Sequence, residues 1–406
     1  MKPTLNSAIQ DIVRSKGKKR LLTIDGGGIR GVIAVEILAE IERVLRLGTG
    51  NPQLRLSDWF HFISGCSTGA ILATGLSLGM EVAELRDLYR TSGQKMFQRA
   101  GWWKRLGFHR YVHNELERLM KERFGEHTKL GSDRLKTLLM VVLKNATTDS
   151  PWPLTNNPYA KFNQPGPGNN LDLPLWRIVR ASTAAPTFFA PETIQFKNLD
   201  KPFVFVDGGL TPYNNPALIT YLNATLPAYR MDWKIGKDDM LVVSVGTGLH
   251  PVSAPDLTPG RMNLLYTATS TPAALMFASS NQQDMLCRAL GKCVVGDPLD
   301  SELGDMIGNR SEAASVPCFT YARYNVDLTN EGLISIGCDK FIGRDLHRLD
   351  AINLIHELKE VGIAVAKSRV RLEHFDGFIE QSKTDEQRLT EFHLNHSHGT
   401  EYAPAG

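Results

Sequence analysis

The residues best suited to chemistry are Gly65-Cys66-Ser67-Thr68-Gly69, set between the apolar run Trp59-Phe60-His61-Phe62-Ile63 and the Ala/Leu-rich run Ala70–Leu76. A serine on a sharp strand-to-helix turn is held in a strained conformation with its hydroxyl pushed out above the sheet edge. Gly65 and Gly69 suit such a turn because strand and helix pass too close for a Cβ. The new helix also points its N-terminus at the hydroxyl, which favours negative charge there. This is a layout for acyl transfer through Ser67.

Acyl transfer needs donors for an oxyanion and a base for the nucleophile. Asp25-Gly26-Gly27-Gly28-Ile29-Arg30-Gly31 follows a short β-rich run and opens a helix. Its Gly26-x-Gly28-x-x-Gly31 spacing also matches a dinucleotide-binding loop. That reading calls for an acid about 20 residues on, after a second strand. Leu45–Asn51 has neither the acid nor the strand. The other reading is an oxyanion hole, with loop amides at a helix N-terminus worth about 3–4 kcal/mol each in a transition state. For the base, none of the eleven histidines has a distinctive setting except His250, just past a strand end. Asp207 leaves the run Phe203-Val204-Phe205-Val206 and is followed by Gly208 and Gly209. Taken singly it reads as a turn-forming Asp-Gly. In a parallel sheet, strand ends gather at one crevice, which would bring it to Ser67. Burial would raise its pKa toward that of a useful base.

These groups must be positioned by the elements around them. Leu21–Ile24, Leu138–Leu143, Phe203–Val206 and Leu241–Val245 read as short buried strands, and Ile33, Ile37, Ile41 and Val44 or Leu45 form a helical stripe. A polar helix is expected over about 81–97, a long loop over Pro151–Leu173, and a late amphipathic helix over about 345–372. Strands alternating with helices predict an α/β fold, a three-layer sandwich with a mostly parallel central sheet. The expected division is an N-terminal extension over 1–17, a catalytic domain over 18–345, and a C-terminal helical extension with a polar tail over 346–406. The tail histidines His393, His396 and His398 read as a solvated end rather than a metal site.

Taken in order, the glycine loop 25–31, the elbow 65–69 and Asp207-Gly208-Gly209 resemble the patatin-like phospholipase family. Ala184–Phe189, Asn214-Asn215-Pro216 and Ser244–Gly248 are similar to further segments of that family. The resemblance covers about residues 18–345. It implies a calcium-independent hydrolase of phospholipid acyl esters, of phospholipase A or lysophospholipase type, working through a Ser/Asp dyad without histidine or cofactor. Carried over, Ser67 is the nucleophile and Asp207 the base. Gly26, Gly27 and Gly28 form the oxyanion hole, steadied by Arg30, and Gly31, Gly65, Gly69, Gly208 and Gly209 complete the motifs. Some bacterial members are antiphage effectors switched on by a cyclic-nucleotide second messenger, which makes such an activator an open alternative.

Composition agrees with a large globular core: 42% of the 406 residues are hydrophobic, and the net charge is only +3. So small a basic excess argues against a nucleic-acid duplex as partner. The five scattered cysteines and the absence of an apolar leader or spanning run predict a reduced, cytoplasmic chain, peripheral to the inner membrane face. Trp102, Trp103, Lys104 and Arg105 mix aromatics with cations, which suits a lipid headgroup zone; the alternative is a helix-to-helix connection whose tryptophans pack inward. The region Met262–Cys287, with Leu264, Leu265, Leu275, Met276 and Phe277, is a candidate wall for an acyl pocket, or plain core. Three readings follow: a lipid acyl hydrolase, a dinucleotide-binding protein, and an inactive binding module.

Overall fold

The computed structural model describes residues 6–96, 113–166, 168–186, 188–196, 200–250, 264–300, 302–308 and 316–379. The segment with Trp102, Trp103, Lys104 and Arg105, and the histidine-rich tail, lie outside the described residues. Among the described residues nine strands form one sheet: β1 (Lys19–Ile24), β2 (Phe62–Cys66), β3 (Leu138–Asn145), β4 (Ser150–Thr155), β5 (Glu192–Ile194), β6 (Phe203–Asp207), β7 (Met240–Val245), β8 (Lys292–Val295) and β9 (Thr320–Tyr324). β1 is central, with β2 and β7 as parallel neighbours; β3, β9 and β8 continue the parallel set, while β4, β5 and β6 join antiparallel.

Two cores show why these runs became strands. Alternate residues point to opposite faces with period two. Leu22, Ile24, Ile63, Leu139, Val141, Leu241 and Val243 face one core. Leu21, Phe62, Leu138, Met140, Met240 and Val242 face the other. The first core is covered by α2 (Gly31–Thr49), α4 (Thr68–Ser77), α5 (Val82–Met96), α6 (His113–Phe124), α7 (Leu175–Ser182) and α11 (Ile355–Arg369). The short α3 (Leu56–Trp59) and α10 (Asn330–Ser335) fill its rim. The second is covered by α1 (Ser7–Arg14), α8 (Ala217–Thr225) and α9 (Leu264–Leu290). Helices on both faces of a mostly parallel sheet make the expected α/β sandwich.

Several sequence expectations shift. Residues 151–173 do not form one loop: Ser150–Thr155 pair antiparallel with β3 despite Pro151 and Pro153. β4 is an edge strand, and an edge is where a strand tolerates a residue without an N–H. β6 is not a buried parallel strand either. It runs antiparallel to β3, and Val204 is exposed. The late helix is shorter, Ile355–Arg369, preceded by turns. It packs on α2 closely enough that a Cβ on Gly362 would lie 3.0 Å from the Ile33 Cα. Residues after 345 and α1 in the first 17 both contribute to the two cores, through Leu358, Val361 and Val365 and through Ile9 and Val13.

Candidate active site

β2 and β6 meet head-on, and this brings the candidate pair together. β4 lies along one edge of β3 from Met140 to Asn145. On the opposite edge β2 pairs with β3 only as far as Cys66–Val142, and β6 takes over from Leu143–Asp207. Two strands running in opposite directions therefore end at the same point. Ser67 leaves one and Asp207 leaves the other. The parallel-sheet crevice expected from sequence is not the device; an antiparallel strand abutting a parallel one is.

The elbow around Ser67 is tight. Ser67 has φ 51° and ψ −121°, and α4 starts at the next residue. A non-glycine residue at positive φ is strained by about 1–3 kcal/mol and needs its surroundings to hold it. Holding comes from Ser182: its Oγ accepts from the Ser67 N–H (2.9 Å) and donates to the Val142 carbonyl (2.6 Å). A Cβ on Gly65 would lie 2.1 Å from the Gly69 carbonyl oxygen, and one on Gly69 would lie 2.2 Å from that of Ile24. Both glycines are thus required by backbone contact. Cys66 is buried, its Sγ 2.9 Å from where a Gly208 Cβ would stand.

Ser67 Oγ donates to Asp207 Oδ2 at 2.7 Å. Asp207 Oδ1 accepts from the Gly209 N–H, also at 2.7 Å. Both oxygens of the carboxylate are therefore oriented, one by backbone and one by the serine. Burial pushes the Asp207 carboxyl up to about 6, against the opposing pull of the Ser67 hydroxyl, the Gly209 amide and the charge of Arg180. His250 does not meet Ser67; its ring stacks on His347 with centroids 4.5 Å apart.

The glycine loop lies against this pair. A Cβ on Gly26 would stand 3.3 Å from the Ser67 Cβ and 2.3 Å from Asn214 Oδ1. The Gly26 N–H donates to the Asn214 carbonyl (3.1 Å), and its carbonyl accepts from Thr247 Oγ1 (2.7 Å). Of the three amides the sequence offered to an oxyanion, that of Gly26 is already committed. Those of Gly27 and Gly28 have no hydrogen-bond partner among the described residues. Gly28 has φ +59°, and a Cβ there would lie 2.4 Å from the Leu349 carbonyl oxygen. Arg30 Nε donates weakly to the Gly27 carbonyl (3.4 Å), and Gly31 opens α2 under Thr68 and Tyr89.

Sequence reasoning missed the charges beneath this loop. Asp25, Ser244 and Arg323 project from β1's exit, β7 and β9 onto the same face. Arg323 binds Asp25 through two nitrogens at 2.6 and 3.0 Å and Ser244 Oγ at 2.8 Å. From α9, Asp284 pairs with Arg288 at 2.7 Å and lies 3.8 Å from Arg323 Nε. An arginine in a short aromatic strand carries no sequence signal, because only the sheet order brings residue 323 beside residue 25. α9 also passes over the pair: its Met276 Cε would stand 3.2 Å from a Gly209 Cβ, and its Ser280 Oγ accepts from Asn214 Nδ2 (3.0 Å). Leu275, one residue earlier, is exposed.

Comparison with known proteins agrees with this architecture. A family model described as patatin-like phospholipase matches residues 22–221. A cGAMP-activated phospholipase of Escherichia coli (strain TW11681) is 30% identical over 57% of this chain and 63% of that protein. An 85/88 kDa calcium-independent phospholipase A2 of Rattus norvegicus is 30% identical over 60% of this chain and 29% of that protein. Probable inactive patatin-like protein 9 of Arabidopsis thaliana is 30% identical over 67% of this chain and 71% of that protein. The chain spans less than two thirds of the length of the bacterial relatives it matches. With its motifs in order, its mostly parallel sheet covered on both faces, and these matches, the chain belongs to the patatin-like phospholipase family.

Proposed function

We propose that the chain is a calcium-independent lipid acyl hydrolase, of phospholipase A or lysophospholipase type, working through a Ser67/Asp207 dyad. The observation that carries this is the 2.7 Å contact from Ser67 Oγ to a buried carboxylate, made from a strained elbow. Asp207 takes the proton as Ser67 Oγ attacks the ester carbonyl. The oxyanion is met by the amides of Gly27 and Gly28. Collapse of the tetrahedral species breaks the ester bond, and the leaving alcohol takes the proton from Asp207. Water then attacks the acyl-serine, giving its proton to Asp207, and the fatty acid departs as Ser67 is reprotonated. A carboxyl titrating near 6 is ionised at neutral pH, yet far more basic than an ordinary aspartate.

A direct test is lipid product analysis by mass spectrometry, with fluorophosphonate labelling of the same samples. Ser67→Ala should abolish both product and label, and Asp207→Asn should lower turnover about 10³-fold with the fold intact. Near-wild-type turnover in Asp207→Asn would remove the dyad from the mechanism.

A messenger-gated version of the same activity is supported by two observations. Relatives from Escherichia coli and Vibrio cholerae are cGAMP-activated phospholipases. Ser67 is 9% exposed and Met276 of α9 lies against neighbouring Gly209, so a shift of α9 would change access to the hydroxyl. In that version hydrolysis is slow until the messenger is added. Peripheral membrane contact is also a proposal; among the described residues no helix is long and apolar enough to cross a membrane.

A further inference from the structure

At the opposite end of the sheet from Ser67 lies a cleft of about 810 Å³. It forms where α1 and the turn after it reach the starts of β1 and β7, with Lys19 N–H donating to the Asp239 carbonyl at 2.8 Å. β1 is six residues long, so the cleft and the glycine loop stand about 20 Å apart. Of the residues lining it, only Tyr159 falls inside residues 22–221, the part matched by the family model. The cleft is therefore built from this chain's own N-terminal helix and the 230–239 segment, outside the catalytic frame.

Its chemistry is cationic. Five Lys or Arg side chains line it against two carboxylates, Asp232 and Asp239. Lys234 and Asp239 cancel in an ion pair at 2.9 Å. Lys19 is buried and serves the structure: its ammonium binds the Ser15 carbonyl at 2.7 Å, at the negative end of α1, and lies over the Trp233 ring. Arg14, Lys16 and Arg230 remain. Arg14 rests its guanidinium on the Tyr159 ring at 4.9 Å, and Arg230 donates one weak bond to the Tyr159 carbonyl at 3.3 Å. Neither Arg14 nor Lys16 meets a carboxylate among the described residues. The left-handed turns at Gly17 (φ +97°) and Arg230 (φ +61°) bring the two cationic segments to the cleft's rim. Asp232 offsets only one of these charges.

We propose that this cleft binds the phosphoryl group of an anionic ligand, contacted by Arg14, Lys16 and Arg230, with Lys19 as a fixed charge behind them. A volume in the range of small-molecule sites admits a nucleotide-sized body, and guanidinium forks suit phosphate oxygens. The phosphoryl group has two possible sources, a soluble nucleotide or a phospholipid headgroup. Binding here is independent of whether Ser67 hydrolyses lipid.

The test uses the full chain carrying Ser67→Ala, so that lipid is not consumed. Titration calorimetry with cyclic GMP–AMP reads the soluble source. Co-sedimentation with phosphatidylglycerol–phosphatidylcholine vesicles, against phosphatidylcholine alone, reads the headgroup. At least one probe should bind. Combining Arg14→Ala, Lys16→Ala and Arg230→Ala should weaken it about tenfold or more, while Lys201→Ala, an exposed cation elsewhere, should not. Circular dichroism checks that the triple variant is folded; these side chains are exposed, so it should be. The inference is overturned if neither probe binds the parent chain, or if the triple variant binds every probe that the parent binds as tightly as the parent does.

Discussion

Two places in the chain read Asp-Gly-Gly at the end of a strand, and they do opposite work. Asp25-Gly26-Gly27 leaves β1, and Asp207-Gly208-Gly209 leaves β6. Both aspartates are buried. Burial pushes the Asp25 carboxyl up, but Arg323 grips both its oxygens and pulls it back. Burial also works against the Arg323 charge, yet Asp25 more than offsets that and holds the guanidinium firmly protonated. The pair is a fixed strut beneath the glycine loop. Among the described residues no guanidinium bonds to the Asp207 oxygens; they meet a serine hydroxyl and one backbone N–H. Its carboxyl therefore sits up at about 6, free to take and return a proton. The partner, not the motif, decides whether a buried aspartate is locked into an ion pair or left beside a hydroxyl with a raised pKa.

Breaking the strut should have the largest effect on stability. Arg323→Met leaves Asp25 buried without its partner and should cost about 3–5 kcal/mol, read as a lower urea midpoint at pH 7. A midpoint like that of the parent would mean that Asp25 and Arg323 do not hold each other. Asp207→Asn should do the reverse. The folded Asp207 carboxyl titrates near 6 rather than 3.8, so its proton stabilises the folded state fully below about pH 4, and that contribution is lost as pH rises through 6. Asparagine carries no such liability. At pH 8 the variant should be more stable than the parent by about 3 kcal/mol, with the gap closing toward pH 4. A gap independent of pH would show that Asp207 is not raised. The smallest expected effect is the sharpest on mechanism. kcat/KM should climb about tenfold per unit below pH 6 and level off above it, following one carboxyl. A second ascending limb near 6.5 that persists in Asp207→Asn would reinstate a histidine.

Much of the site was legible before the fold was known. Strand-turn-helix at Ser67, the glycine loop at 25–31 and the Asp-Gly-Gly after Phe205 are local signals, carried by residues within a few positions of one another. Glycines that lie against a backbone or a left-handed turn have few substitutes, so sequence marks them well. Long-range facts were not legible. Nothing near residue 204 says that β6 runs antiparallel and abuts β2, since a short run alternating aromatic and Val residues fits either direction. Two prolines hid β4 because its edge position is a property of the sheet.

The chain's order of residues settled which side chains are available for chemistry: a serine on an elbow, amides in a glycine loop, an aspartate at a strand exit. Tertiary structure settled which of them meet, which amide is spent on Asn214, and which aspartate Arg323 neutralises. The reason is physical. Backbone strain and periodicity act over a few residues, whereas a carboxylate's proton affinity depends on the groups within a few ångströms, and those arrive from positions more than a hundred residues away.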